Sequence, residues 1–279
     1  MKLLFCGDVV GRAGREAVAK YVPRLRAELG LDFVAVNGEN AAAGFGITAK
    51  ICEELYATGV DCITTGNHAW DQRDTLVYID SDPRLLRPAN FPPGTPGLGF
   101  NRFDVGNGRS VLVLNVMCRL FMDALDCPFQ AVEKFLAENR LKEHADAIFI
   151  DVHGEATSEK QSLGHFADGR ASMVVGSHSH VPTADGWVLP GGTAYQTDAG
   201  MCGDYDSVIG MKKEAPILRF LRKIPGDRLS AAEGEGTLCG VYVETDDATG
   251  LARHIEPVRL GGRLAQTRPW PHSRAAVAE

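Results

Sequence analysis

The stretch FVAVNGEN, residues 33–40, sets the architecture of this chain. Its four leading apolar residues are too few for an amphipathic helix and read as a buried strand. The run then stops at Glu39 and Asn40, side chains that bind hard metal ions. Four further runs follow the same plan. LLFCGD (3–8) ends at Asp8, CITTGNH (62–68) at Asn67 and His68, AIFIDVHG (147–154) at His153, and MVVGSHSH (173–180) at His178 and His180. Strands that all finish in carboxylate, carboxamide and imidazole groups point to one polar site along one sheet edge. That edge, outside the carboxyl ends of the strands, is where open α/β sheets bind ligands.

The intervening segments fit this plan. Arg12 to Leu29 has Val18, Tyr21, Val22 and Leu25 on one stripe and reads as a helix. Thr48 caps a second helix covering Ile51, Leu55 and Tyr56, ahead of a strand at 61–65. After the Pro- and Gly-rich loop 88–99, the Asn107–Gly108 turn predicts a hairpin of 100–105 with 109–116. A helix over 128–142 and strands near 173–176, 193–197, 239–245 and 252–258 complete the pattern. Asn67 caps a predicted helix from about Ala69, and Glu155, Thr157 and Glu159 look like a helix start. Residues 225–236 read as a mobile loop. Parallel βαβ units mixed with antiparallel hairpins predict two sheets with outer helices. A single domain is expected over residues 1–262, with a tail over 263–279 lacking ordered structure.

Composition narrows the function. At 279 residues and 44% hydrophobic, the chain can bury one large core. A formal charge of −7 argues against a nonspecific nucleic-acid or membrane surface. It leaves room for a small anionic substrate, because bound cations reverse the local field. Seven cysteines without CxxC spacing imply neither a disulfide framework nor a zinc–thiolate site. With no signal-peptide core at the start and no apolar run near the roughly 18 residues of a membrane span, the chain reads as cytoplasmic.

Each polar strand end has an ordinary explanation when taken alone. Asp8 can cap a turn or helix, Glu39 and Asn40 can shape a loop, and His68 can be a hydrogen-bonded buried histidine. Their coincidence at five strand ends is what implies a metal site. In SHSH, residues 177–180, an extended backbone would put His178 and His180 on one side. The remaining histidines lack such a setting: His144 and His272 read as solvated, His165 and His254 as structural. Carboxylate, amide and imidazole ligands without thiolate suit Mn²⁺, Fe²⁺ or Zn²⁺. Seven candidates exceed one four-coordinate site and suit two ions about 3.5–4 Å apart, which lower the pKa of a bridging water and clamp a phosphoryl group. His68, beside Asn67, is placed to protonate a departing alkoxide.

These residues resemble the calcineurin-like metallophosphoesterases. GD at 7–8, GNH at 66–68, His153 and the SHSH follow that superfamily's motif order. Val10 replaces the histidine of the usual D-x-H opening, and Glu39 replaces the usual bridging Asp. Both departures are similar to the YmdB-type phosphodiesterases, as are GDVVGRAGR, NGENAAAGFGIT, TGNHAWD, DVHGEATSEK, GSHSHVPTAD and TDAGMCG. The resemblance runs from Met1 to about Val258. It implies a four-layer αββα sandwich, with two mixed β-sheets flanked by helices, around a di-iron or di-manganese centre, zinc being a third choice. It also implies hydrolysis of 2',3'-cyclic nucleotides to 3'-nucleotides by a metal-bridging hydroxide. Glu39 would bridge, Asp8, Asn40 and His180 would complete one site, and Asn67, His153 and His178 the other. His68 would act as acid or transition-state stabiliser. Glu155 is a candidate to orient His153, and Arg12 reads as a solvated first-turn residue.

Two other readings keep the same site: a phosphomonoesterase, and a regulatory metal- and nucleotide-binding protein with weak turnover. A small cyclic nucleotide is the expected partner. The acidic balance and the absence of basic–aromatic runs argue against a stable nucleic-acid or membrane partner, and a homo-oligomer stays open.

Overall fold

The computed structural model of the chain describes residues 1–224 and 226–269. Two sheets face one another. The first has five strands, in the order Ala252–Leu260, Leu238–Thr245, Lys2–Cys6, Phe33–Asn37 and Cys62–Thr64, the last three parallel. The second has six: Phe100–Asp104, Ser110–Met117, Ala147–His153, Met173–Ser177, Ala194–Gln196 and Trp187–Val188. Its four middle strands are parallel and its edges antiparallel.

Strand periodicity explains the layering. Successive side chains point to opposite faces, and the central strands are largely apolar on both, as strands covered twice must be. Leu4, Val34, Val36 and Ile63 pack outward against Val18, Val22 and Leu25 of helix Gly11–Leu29 and Ile51 and Leu55 of helix Ala49–Ala57. On the far side, Leu112, Ile148 and Val174 pack against Val132, Phe135 and Leu136 of helix Pro128–Glu138 and Leu163 of helix Thr157–Ala167. Between the sheets lie Leu3, Phe5, Phe33, Ala35, Cys62, Val111, Val113, Phe149, Met173 and Val175. The result is the four-layer αββα sandwich implied by the family resemblance. All seven cysteines are unpaired, and no described helix is long and apolar enough to cross a membrane.

Several local expectations need correction. The helix expected from Ala69 begins as a series of turns, with an α-helical turn only at Thr75–Tyr78 and a 3-10 turn at Ile79–Ser81. Asn67 is occupied by the site described below instead of capping. The helix expected to 142 stops at Glu138. A further helix, Glu214–Arg222, had no expectation; it buries only Pro216. In the tail, residues 263–269 are ordered: Thr267 exchanges two backbone hydrogen bonds with Arg259, and Arg268 pairs with Glu28. Residues 270–279, His272 included, lie outside the described residues. Of the loop expected to be mobile, Pro225 also lies outside; Ser230, Ala232 and Gly234 are tied to Lys212, Gly210 and Asp204 by hydrogen bonds.

The inter-sheet layer is the stability core. Phe5 and Phe149 meet across it with ring centroids 4.8 Å apart. Phe149→Ala is expected to cost about 3–5 kcal/mol, read as a lower urea midpoint at unchanged slope.

Candidate metal centre

The inward faces of the parallel strands change character along their length. Ala147 and Phe149 are followed by Asp151 and His153, Met173 and Val175 by Ser177, Phe33 and Ala35 by Asn37, and Cys62 by Thr64. Alternation thus carries the apolar seam into a polar one at the carboxyl ends. The loops beyond add Asp8, Glu39, Asn40, Asn67, His68, His178 and His180. The sequence-selected residues therefore come from both sheets and meet at one end of the sandwich.

Four ligand atoms converge on one point. His153 Nε2 lies 3.0 Å from Asn67 Oδ1, 3.1 Å from Glu39 Oε1 and 3.1 Å from His178 Nδ1. Ligand atoms of Glu39, His153 and His178 all lie within 4.8 Å of one another. The opposite nitrogen of His153 contacts Ser177 Oγ at 2.9 Å, so Nε2 is the nitrogen turned to the site. Close approach here requires Gly66, because a Cβ at that position would run into the His153 ring and lie 2.5 Å from Glu39 Oε2. Glu39 Oε2 also accepts from the His68 backbone N–H at 3.0 Å, which ties the two loops together.

Asp8, Asn40 and His180 form a neighbouring group. His180 Nδ1 donates to Ile209 O at 2.8 Å, leaving Nε2 facing Asp8 Oδ1 at 3.8 Å. Asn40 Nδ2 donates to Gly44 O at 3.0 Å, which fixes the amide orientation. Asp8 Oδ1 and Asn40 Oδ1 are both buried without a hydrogen-bond partner. Buried acceptors left unpaired carry a desolvation cost of about 1–3 kcal/mol each, and two on adjacent loops indicate a cation as their missing partner. Oxygen and imidazole donors of this kind fit a divalent transition metal.

The electrostatics agree. Burial raises the Asp8 pKa against the pull of His180 and His153. Burial would also raise Glu39, but the charge and hydrogen bond of His153 outweigh it and bring the carboxyl down to about 2. Burial opposes a charge on His153, yet Glu39 and Asp8 raise it to about 9. His178 is pushed down to about 3 by burial and by His153. Three buried carboxylates, Asp8, Glu39 and Asp151, thus surround a place that favours positive charge. The site opens on one side, where His178 and His68 have side chains 22% and 29% exposed while His153 is fully buried.

The SHSH geometry differs from the extended backbone expected. The strand ends at Ser177, and His178 and His180 adopt left-handed conformations with φ of 96° and 63°. Such backbones cost about 1–3 kcal/mol each and persist where surroundings enforce them. Here Asp8 Oδ2 accepts from the His178 N–H at 3.0 Å, and Asp198 Oδ2 from the Ser179 N–H at 3.0 Å. Asp198 is itself held by the buried Lys160 ammonium at 2.8 Å, which also donates to Ser177 O.

Glu155 reaches His178 Nε2 at 3.3 Å and does not orient His153 as expected. Arg12 is solvent-exposed and paired with Glu16. Asp71 had no role in the sequence reading, yet its Oδ2 lies 2.8 Å from His68 Nδ1. Phe45 meets the same ring edge-on at 5.2 Å. Its spacing of three from His68 is the only signal that would have found Asp71.

A model of the YmdB-like protein family matches residues 4–258. The 2',3'-cyclic-nucleotide 2'-phosphodiesterase of Bacillus subtilis (strain 168) is 48% identical over 260 residues, 93% of this chain and 97% of that one. A hypothetical protein from Thermus thermophilus superposes with a TM-score of 0.87 at 42% identity, covering 94% of this chain and 100% of its own. A novel phosphatase from Mycoplasma pneumoniae does so with a TM-score of 0.85 at 31% identity, covering 94% and 93%. The chain belongs to the YmdB-like protein family.

Proposed function

We propose that this chain is a dinuclear-metal phosphodiesterase that opens 2',3'-cyclic nucleotides to 3'-nucleotides. The observation that carries this reading is the pair of orphaned buried oxygens, Asp8 Oδ1 and Asn40 Oδ1, beside the convergent Glu39, Asn67, His153 and His178. Asp8, Asn40 and His180 are read as one ligand set and Asn67, His153 and His178 as the other. Glu39, whose Oε1 lies 3.1 Å from His153 Nε2, is read as the bridge. Manganese or iron is the preferred occupant, with zinc third, because the donors are oxygen and imidazole. Two such ions would supply Lewis acidity to the phosphoryl oxygens and a water nucleophile at neutral pH.

The protein's own part is to hold, orient and protonate. Asp71 anchors His68 Nδ1, so Nε2 is the nitrogen available at the open side of the site. His68 is read as giving its Nε2 proton to the 2'-oxygen as the P–O2' bond breaks. The Bacillus relative's activity, at 48% identity over nearly its whole length, supports this substrate class. A monoesterase reading is supported by the Mycoplasma phosphatase, at lower identity. A cytoplasmic setting, a single domain over residues 1–262 and a small-molecule partner accompany the proposal.

A turnover panel decides between the two. With Mn²⁺, or Fe²⁺ under anaerobic conditions, 2',3'-cyclic nucleotides should be hydrolysed faster than 3',5'-cyclic nucleotides and phosphomonoesters. Preference for monoesters would reject the diesterase reading. Glu39→Ala should lose both ions by elemental analysis together with nearly all turnover, whereas loss of one ion alone would argue against a shared carboxylate. His68→Ala should keep its metal content while kcat falls roughly 10²–10⁴-fold; an unchanged kcat would move the acid elsewhere.

A further inference from the structure

Asp151 lies directly beneath the candidate ligands and is fully buried. Its oxygens are filled by neutral donors. Oδ1 accepts from Ser177 Oγ at 2.7 Å, and Oδ2 accepts from Thr64 Oγ1 and, at 3.4 Å, from Asn37 Nδ2. A hydroxyl has a single proton. Ser177 gives its proton to the carboxylate, so its contact with His153 Nδ1 at 2.9 Å must be one in which the imidazole N–H donates. Asn37 Nδ2 sits 3.4 Å from His153 Nδ1 and 3.3 Å from Ser177 Oγ, too far to compete with those shorter bonds. Strand geometry enforces the chain of contacts. Asp151 and His153 are two residues apart on one face, and His153 is paired with Ser177 across the parallel ladder.

We propose that Asp151 is a positioning residue. Through Ser177 Oγ it holds His153 in the Nδ1–H form, which keeps the Nε2 lone pair directed at Glu39, Asn67 and His178. Through Thr64 Oγ1 it also pins the sheet that carries Glu39 and Asn67 against the sheet that carries His153 and His178. This role rests on the two-metal reading above. Ligating histidines generally need such a partner on the far nitrogen, and its loss typically costs 10–100-fold in metal affinity. Here the partner is a carboxylate acting through a serine hydroxyl, a contact that requires both strands in register.

The test is a Mn²⁺ titration of the full chain by calorimetry, comparing wild type with Asp151→Asn and Ser177→Ala. It is joined by two-bond ¹H–¹⁵N spectra of histidine-labelled, zinc-loaded protein, which read the imidazole tautomer. Both variants should bind one ion about 10–100-fold more weakly and lose the single Nδ1–H pattern of one histidine. The metal-depleted Asp151→Asn protein should stay folded and melt close to wild type, because the isosteric amide keeps an oxygen to accept from Thr64 Oγ1. Wild-type affinity and tautomer in both variants would overturn the role of Asp151. So would an affinity loss matched by an equal fall in melting temperature, which marks a folding effect. Failure of the wild type itself to bind Mn²⁺ or zinc would instead remove the two-metal reading, and this role with it.

Discussion

The constraint on which the site depends is the meeting of two sheets whose inward faces turn polar at the same level. Below that level, Phe5, Phe33, Phe149 and Val175 make a dry seam. Above it, Asn37, Thr64, Asn115, Asp151 and Ser177 face each other with almost no water access. A polar group in such a place must be hydrogen-bonded, or its desolvation is uncompensated. Cross-sheet bonds meet that demand: Thr64 to Asp151, Asn115 Nδ2 to Thr65 O at 2.7 Å, and Asn37 to Asp151. The seam is therefore also a rivet that sets the spacing between the two sheets that carry the candidate ligands.

What the rivet leaves unsatisfied is informative. Each of those seam side chains makes at least one hydrogen bond to another part of the protein, Asn115 through Nδ2 while its Oδ1 stays unpaired, and Asp8 Oδ1 and Asn40 Oδ1 beyond the seam have no partner. His153 Nε2 faces three acceptors at 3.0–3.1 Å. A single Nε2–H can serve only one of them, so the remaining lone pairs favour a cation among them. The strained backbones of His178 and His180 fit the same picture, since the Lys160–Asp198 pair and Asp8 hold the turn that carries them.

Much of this was legible in the chain. Each run that read as a strand became one, and each polar strand end sits at the same edge. Val10, which departs from the superfamily histidine, packs with Met201 and Met211. Other roles were not legible. Asp151 and Ser177 looked like the tails of strands, because their partners come from ladders 24–26 residues away. Asp71 and Lys160 had no assigned role in the sequence reading; their roles rest on the contacts with His68 and the buried Asp198. The SHSH histidines reached the site by left-handed turns and not by pleat alternation.

The chain's own sequence determined the strand ends, their chemistry and the family, since these depend on local apolar runs and on which residues follow them. Only the tertiary structure decided which histidine nitrogen faces the site, which acceptors remain unpaired, and that Glu155 serves His178. Those facts depend on distances between strands of two separate sheets. No periodicity within a single segment encodes how far apart two sheets will stand.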